Sequence, residues 1–146
     1  MKHEIFFDGN IKEYSWSIKT ENNVADQIRE HPPASQSGGK LNITNYEDSK
    51  FVALHVGIYW GLGVHIIKNQ DVVNVMCDSE MMFGIMNKGK KSDNKIINDK
   101  VYFINQLTNL RELKMNYQFI KSDKNIATKH LFTKEDTAGR DSKGYV

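Results

Sequence analysis

Hydrophobic and polar positions alternate along the first twenty residues of the chain. An apolar run within residues 4–7 is followed, after a Gly-Asn turn, by Tyr14, Trp16 and Ile18, which alternate with polar or charged side chains. Alternation with a period of two is typical of a half-buried strand. The pattern therefore predicts an antiparallel hairpin over residues 1–20.

Residues 21–40 lack such a pattern. They contain both prolines of the chain and a cluster of Ser and Gly residues, which together predict a loop. Within this loop, residues 24–30 are expected to form a helical turn. A third short strand is predicted at about residues 40–43, where it would complete an antiparallel three-stranded unit.

A long helix is predicted to begin at Thr44 or Asn45 and to end at about residues 61–63. Either residue can cap the helix, and acidic residues stand in the following turn, where the helix dipole favours them. The apolar residues that recur at spacings of three and four, as helical periodicity requires, are Phe51, Leu54, Ile58 and Leu62.

The second half of the chain predicts strands that alternate with helices. Residues 72–77 are apolar on both faces, which is typical of a central strand covered by helices. A short Met-rich helix, a longer helix at about 96–110, a strand at 115–119 and a final helix at 123–132 follow. This order predicts an α/β fold: a mixed sheet of five strands, three antiparallel and then parallel ones, with helices on both faces. Residues 1–134 would form one domain and residues 135–146 a flexible polar tail.

Composition narrows the class of protein. With 146 residues, 39% hydrophobic and 26% charged, the chain is ordinary for a soluble domain with a full core. No apolar run approaches the ~20 residues that span a bilayer, so no membrane association is expected. A single cysteine, Cys77, excludes an internal disulfide and Cys-rich zinc sites and favours a cytoplasmic environment.

Net charge says little about partners, since it is only +2. The charge distribution is more informative, because a lysine cluster that includes Lys90 and Lys91 lies within eight residues of the chain. Such a cluster can meet phosphates. A solvated loop between two helices explains it equally well.

Two carboxylates stand where predicted strands end. Asp8 follows the first strand and Asp78 follows the apolar strand at 72–77. An ionised group at such a place is costly unless a cation meets it. If the two strands are neighbours, both carboxylates point into one crevice, which is the predicted site. The alternative is that each aspartate simply caps a turn at the end of its strand.

Residues 5 to about 132 resemble ribonuclease H of type 1 and, more loosely, its retroviral and transposon relatives. The resemblance rests on four segments in a matching order of elements: Phe7-Asp8-Gly9, then Thr44-Asn45 with Phe51-Val52-Ala53-Leu54 and Gly57, then Cys77-Asp78-Ser79, and finally Asn125-Ile126-Ala127-Thr128. It implies a ribonuclease H-like fold and an RNA–DNA hybrid as the partner.

In that family, four carboxylates hold two Mg²⁺ ions that cleave the RNA strand of the hybrid. Carried over by position, Asp8 matches the first acid and Asp78 the third. The second acid is replaced by Lys50 and the fourth by Thr128. We therefore predict that metal binding at Asp8 and Asp78 is weak or absent, that the Lys50 amine occupies the metal position, and that cleavage is lost or weak.

An active enzyme is the alternative. Glu47 lies one helical turn before Lys50 and could join Asp8 and Asp78 as a catalytic residue, and Glu80 is a second candidate. Such an enzyme would need Mg²⁺ or Mn²⁺ as cofactor.

Contacts to nucleic acid are assigned to a set of polar and basic residues at the family's contact positions or in the lysine cluster: Thr44, Asn45, Ser79, Lys90, Lys91 and Asn125. A third reading keeps the fold but assigns it to protein interaction. The chain is expected to act as a monomer.

Overall fold

The computed structural model describes residues 1–32 and 43–131. Its strands are β1 (Lys2–Gly9), β2 (Glu13–Thr20), β3 (Asn23–Glu30), β4 (Val72–Cys77) and β5 (Lys114–Phe119). Its helices are α1 (Tyr46–Gly63), α2 (Glu80–Lys88) and α3 (Lys95–Leu110), with a 3₁₀ turn at Ser122–Lys124 and helical residues at 128–131. No helix among these is long and apolar enough to span a membrane.

The five strands form one mixed sheet in the order β3-β2-β1-β4-β5. β1 pairs antiparallel with β2 and parallel with β4, and β4 pairs parallel with β5. The predicted α/β architecture is therefore confirmed. Phe6 of β1 is the partner of Met76 of β4, so Asp8 and Asp78 each follow a paired residue by two positions at the same edge of the sheet.

The predicted third strand was wrong in position. β3 occupies Asn23–Glu30, where a loop or helical turn was expected, and it pairs with the whole of β2. Glu21, with φ of 56°, turns the chain tightly between them. β3 lies at the sheet edge and is mostly exposed, so it carries no apolar alternation that could reveal it. Residues 40–42 of the predicted strand lie outside the described residues, and residue 43 is not in a strand.

The predicted final helix begins later than expected. Residues 122–124 form a 3₁₀ turn and Asn125 has an extended backbone, with φ of −83° and ψ of 101°. Helical residues begin only at 128. The side chain of Asn125 is directed toward the sheet, where it donates to the Phe7 backbone oxygen and to Asp78. The helix that the sequence pattern predicts is interrupted at this residue. The proposed tail at 135–146 lies outside the described residues.

The core lies on both faces of the sheet. On one face, Phe7 and Trp16 pack with Phe51 of α1 in the main cluster, to which α2 and α3 also contribute. On the other face, Phe6 and Met76 pack against residues of the C-terminal segment. This second layer brings the C-terminal segment over the edge where Asp8 and Asp78 lie.

Candidate functional site

Lys50 lies between the two predicted carboxylates. Its amine donates to Asp78 Oδ1 at 2.8 Å and lies 3.9 Å from Asp8 Oδ1. The three side chains are almost removed from solvent, with exposed fractions of 14% for Lys50, 12% for Asp8 and 3% for Asp78. The structure thus brings an ammonium group and two carboxylates together at the sheet edge.

The surroundings hold Lys50 in its charged form. Burial by itself lowers the pKa of the amine, but the hydrogen bond and charge of Asp78, with the charges of Asp8 and Glu47, outweigh it. The net effect is a pKa above the usual 10.5. Lys50 is therefore a permanent cation at neutral pH and cannot serve as a general base there.

Asp8 is held by neighbours on two elements. Its Oδ1 accepts from the Gly9 backbone N–H at 2.8 Å, and its Oδ2 accepts from the Thr128 hydroxyl at 2.5 Å. Burial raises the pKa of this carboxyl, and the nearby charge of Asp78 adds to the rise, against the opposing effects of Thr128 and Lys50. Thr128, which the resemblance predicts to stand in place of the family's fourth acid, thus acts as a hydrogen-bond donor to Asp8.

Asn125 ties Asp78 to the first strand. Its amide nitrogen donates to Asp78 Oδ2 at 2.8 Å and to the backbone oxygen of Phe7 at 2.9 Å. Each of the four carboxylate oxygens of Asp8 and Asp78 therefore already accepts a hydrogen bond. We call Asp8, Lys50, Asp78, Asn125 and Thr128 the acid–lysine cluster.

Glu47, predicted as an alternative catalytic acid, lies beside this cluster. Its carboxylate accepts from the Ser79 hydroxyl at 3.1 Å, and the same hydroxyl caps α2 by accepting from the Met82 N–H at 3.2 Å. The negative charge of Glu47 is one of the causes that raise the pKa of Lys50. Glu80, the other alternative, is exposed at the start of α2.

The remaining predicted contact residues are distributed around the site. Asn45 caps α1, since its side chain accepts from the Asp48 N–H at 2.8 Å, and Thr44 before it is exposed. Lys90 and Lys91 are exposed and line a groove of about 410 Å³ between α2 and α3. Among the described residues, no side-chain hydrogen bond or ion pair joins these two lysines to the acid–lysine cluster.

A close approach of α1 to β1 positions Lys50. The small residues Ala53 and Gly57 on the same helix stripe as Lys50 predicted such an approach, but the part of Gly9 in it was not predicted. A methyl group at Gly9 would lie 2.0 Å from Ser49 Oγ, so only glycine fits there. Ser49 in turn contacts His31 Nε2 at 2.7 Å. The Asp8-Gly9 pair was the available signal, but it indicated a turn rather than a helix contact.

These residues do not fit the two-metal centre that the resemblance implies. Within residues 1–32 and 43–131, no group of three or more His, Cys, Asp or Glu side chains is arranged to hold a metal ion. Hard divalent cations need several oxygen ligands, whereas here the oxygens of Asp8 and Asp78 already bind Lys50, Asn125, Thr128 and a backbone amide.

The strand order, the crossover connections and the acidic pair at one sheet edge define a ribonuclease H-like fold. The N-terminal RNase H domain of Rv2228c from Mycobacterium tuberculosis superimposes with a TM-score of 0.68 at 15% identity, over 88% of this chain and 95% of that one. RNase H1 from Halobacterium salinarum NRC-1 gives a TM-score of 0.67 at 10% identity, over 91% and 99%. LC11-RNase H1 from compost, in complex with an RNA/DNA hybrid, gives 0.62 at 14% identity, over 88% and 91%.

No protein-family model and no curated protein sequence matches the chain. Identities of 10–19% to these solved structures establish the fold alone.

Proposed function

We propose that this protein is a nucleic-acid-binding domain of the ribonuclease H-like fold, directed at RNA–DNA hybrids, in which metal-dependent cleavage is lost or weak. The observation that carries the proposal is the position of the Lys50 amine, 2.8 Å from Asp78 and 3.9 Å from Asp8. An ammonium group there supplies the positive charge that a divalent ion would otherwise bring. The protein would act as a cytoplasmic monomer.

Electrostatics support the loss of metal. A divalent ion that entered the cluster would have to displace the Lys50 amine and the hydroxyl of Thr128, which hold the carboxylates of Asp78 and Asp8. If the Lys50 ammonium stayed in place, it would repel the ion at short distance, because charge interactions in a partly buried site are stronger than in water. Two-metal hydrolysis depends on both ions being held, so cleavage should suffer even if one weak site remains.

Support for hybrid binding comes from a fold neighbour and from exposed groups. LC11-RNase H1 has been crystallised with an RNA/DNA hybrid. In the present chain, Thr44, Lys90 and Lys91 are exposed and available to phosphates. The side chains of Asn45 and Ser79 cap helices, so they would contribute to nucleic-acid contact in addition to that structural role.

Fluorescence anisotropy tests the binding half of the proposal. A labelled RNA–DNA hybrid is titrated without divalent metal at several salt concentrations, and the logarithm of the affinity should fall linearly with that of salt. The double variant Lys90→Ala/Lys91→Ala should bind more weakly and with a shallower salt slope. Lys2→Ala/Lys19→Ala removes equal charge from exposed positions at the opposite end of β1 and β2 and should leave binding unchanged. Absence of salt-dependent binding would favour the protein-interaction alternative.

Calorimetry and a hybrid-cleavage assay test the metal half. The wild type should show no Mg²⁺ or Mn²⁺ binding from micromolar to low millimolar concentration and little or no cleavage. The double variant Lys50→Glu/Thr128→Asp, which restores both replaced acids, should gain cation binding. Wild-type metal binding that disappears in Asp8→Asn would defeat the proposal.

The position of Glu47 favours testing the active-enzyme alternative as well. The Glu47 carboxylate lies beside the cluster, bonded to Ser79, and would be the additional acid of a rearranged metal site. If the wild type does cleave hybrid, Glu47→Gln should abolish cleavage while Glu80→Gln, at an exposed position, should not. Cleavage lost only in Glu80→Gln would assign the acid to Glu80 instead.

A further inference from the structure

A large groove runs between α1 and α3 and has no part in the function proposed above. Its volume is about 910 Å³, within the range of roughly 300–1,000 Å³ that is usual for small-molecule sites. Its walls include His55 and Tyr59 of α1 and Lys100, Phe103 and Leu110 of α3. It shares no residue with the acid–lysine cluster.

One part of this groove is apolar and open to solvent. Tyr59 is 68% exposed, Phe103 47% and Leu110 77%. The ring of Phe103 stacks on His55 with centroids 6.1 Å apart. Large apolar side chains gathered at a concave surface, rather than scattered singly, are characteristic of binding sites.

The other part holds a cation, Lys100, for which the described residues supply no paired carboxylate. The Lys100 amine bonds to a ring nitrogen, His55 Nδ1, at 3.1 Å. Burial, and then the nearby charge of Lys100, lower the pKa of His55 to about 4, so the ring is neutral and accepts at Nδ1. Asp99, the next acid on α3, pairs with Lys95 at 3.0 Å instead. Among the described residues no carboxylate lies within 4.0 Å of the Lys100 amine.

Burial also lowers the pKa of Lys100, with the charge of Asp99 opposing the effect only in part. A partly buried ammonium that lacks a counter-ion costs free energy, and an anion supplied by a ligand would recover it. The groove therefore offers a cationic contact next to an apolar surface.

We propose that this groove binds a small carboxylic acid with an aliphatic or aromatic body, its carboxylate on Lys100 and its body against Tyr59, Phe103 and Leu110. The inference does not depend on nucleic-acid binding, because it rests on other residues. A single carboxylate would pair with the Lys100 ammonium, whereas a neutral or cationic amphiphile of the same length would not. A protein helix that presents an acid to Lys100 is the competing occupant.

Nuclear magnetic resonance titration of the full chain with octanoate, octan-1-ol and octylammonium tests this pairing, because the three share one body and differ in the head group. Octanoate should give saturable shifts at the amides of α1 and α3 that line the groove. It should bind about tenfold more tightly than the alcohol, and octylammonium should bind least. Lys100→Met should remove the advantage of octanoate over octanol. Lys114→Met, a change at an exposed position on β5, should retain it.

The thermal transition of unliganded Lys100→Met should be no lower than that of the wild type, because the change removes a cation with no counter-ion. A lower transition would mean that Lys100 serves stability, and would overturn the proposal. Equal binding of octanoate and octanol, or no shifts at the groove, would do the same. Ultracentrifugation that shows a dimer broken by Leu110→Glu would assign the surface to self-association instead.

Discussion

Removal of the Lys50 amine should destabilise the folded state at neutral pH. Lys50→Met keeps an apolar stem and removes the ammonium group, with its charge and its hydrogen-bond donors. Asp78 would lose a contact at 2.8 Å and Asp8 one at 3.9 Å. With an effective dielectric constant of about 20, these contacts correspond to gross attractions of about 6 and 4 kcal/mol, from which the cost of burying the ammonium must be subtracted.

Loss of one partner from a buried ion pair typically costs about 3–5 kcal/mol. Because Lys50 is 14% exposed and Asp8 12% exposed, water can replace part of the interaction, and we expect a loss of about 3 kcal/mol in the free energy of unfolding. Urea denaturation at pH 7, followed by circular dichroism, measures it, provided that the m-value is unchanged. Lys95→Met, which removes an amine that is 86% exposed, should leave the free energy of unfolding nearly unchanged.

The difference between Lys50→Met and the wild type should depend on pH. Burial raises the pKa of Asp8 in the folded state above its ordinary 3.8. The stability that protonation of Asp8 contributes is therefore fully present below pH 3.8 and is lost as pH rises through the folded-state pKa. Without Lys50 that folded value rises further, so the variant should recover toward the wild type as pH is lowered from 7 to 4.

At alkaline pH the wild type should lose its advantage over the variant. Its Lys50 pKa lies above 10.5, so the stability from the ion pair persists to about that pH and is lost as pH rises through the folded value. A Lys50→Met variant within about 0.5 kcal/mol of the wild type at pH 7, the usual scatter of surface substitutions, would refute the buried ion pair. A gap that widens toward pH 4 would refute it equally.

Three further outcomes follow from the geometry around the cluster. Thr128→Val, which leaves Asp8 Oδ2 without its hydroxyl donor, should cost about 1–3 kcal/mol in urea denaturation, and Thr128→Ser should restore most of it. Gly9→Ala should lower the thermal transition, because the new methyl group would meet Ser49 Oγ at 2.0 Å; an unchanged transition would show that α1 lies further from β1. Burial raises the pKa of Cys77 to about 12, so its thiol should resist a disulfide reagent at pH 8 in the folded protein and react in urea; rapid reaction without urea would contradict this environment.

The sequence pattern was sufficient for the elements whose apolar residues recur regularly or form an unbroken run. Tyr14, Trp16 and Ile18 indicated β2 through their alternation, and all three are buried. The polar residues between them, Ser15 and Ser17, are buried as well, so β2 is covered on both faces and the predicted half-buried strand was wrong in that respect. The helical spacing that begins at Phe51 indicated α1, and the unbroken apolar run indicated β4 as a central strand. Periodicity works here because the core imposes it on every residue that faces inward.

Periodicity was insufficient at the edges of the fold. β3 is an exposed edge strand whose hydrogen bonds to β2 require no apolar side chains, so its polar sequence was read as a loop. The final helix was predicted to begin too early. Asn125 contacts Phe7 and Asp78, both more than forty residues away from it in the sequence, and these contacts hold it outside the helix. No local pattern reports such a contact.

By itself the sequence indicated that two acids end strands, and its resemblance to ribonuclease H predicted that Lys50 stands at a motif position held by an acid in that family. Where the amine lies was decided only by tertiary structure. The parallel pairing of Phe6 with Met76 places both aspartates at one edge, and the approach of α1 to Gly9 directs Lys50 between them. The physical reason is that the position of a long, flexible side chain depends on strand register and helix packing, both of which are set by contacts between residues far apart in the chain.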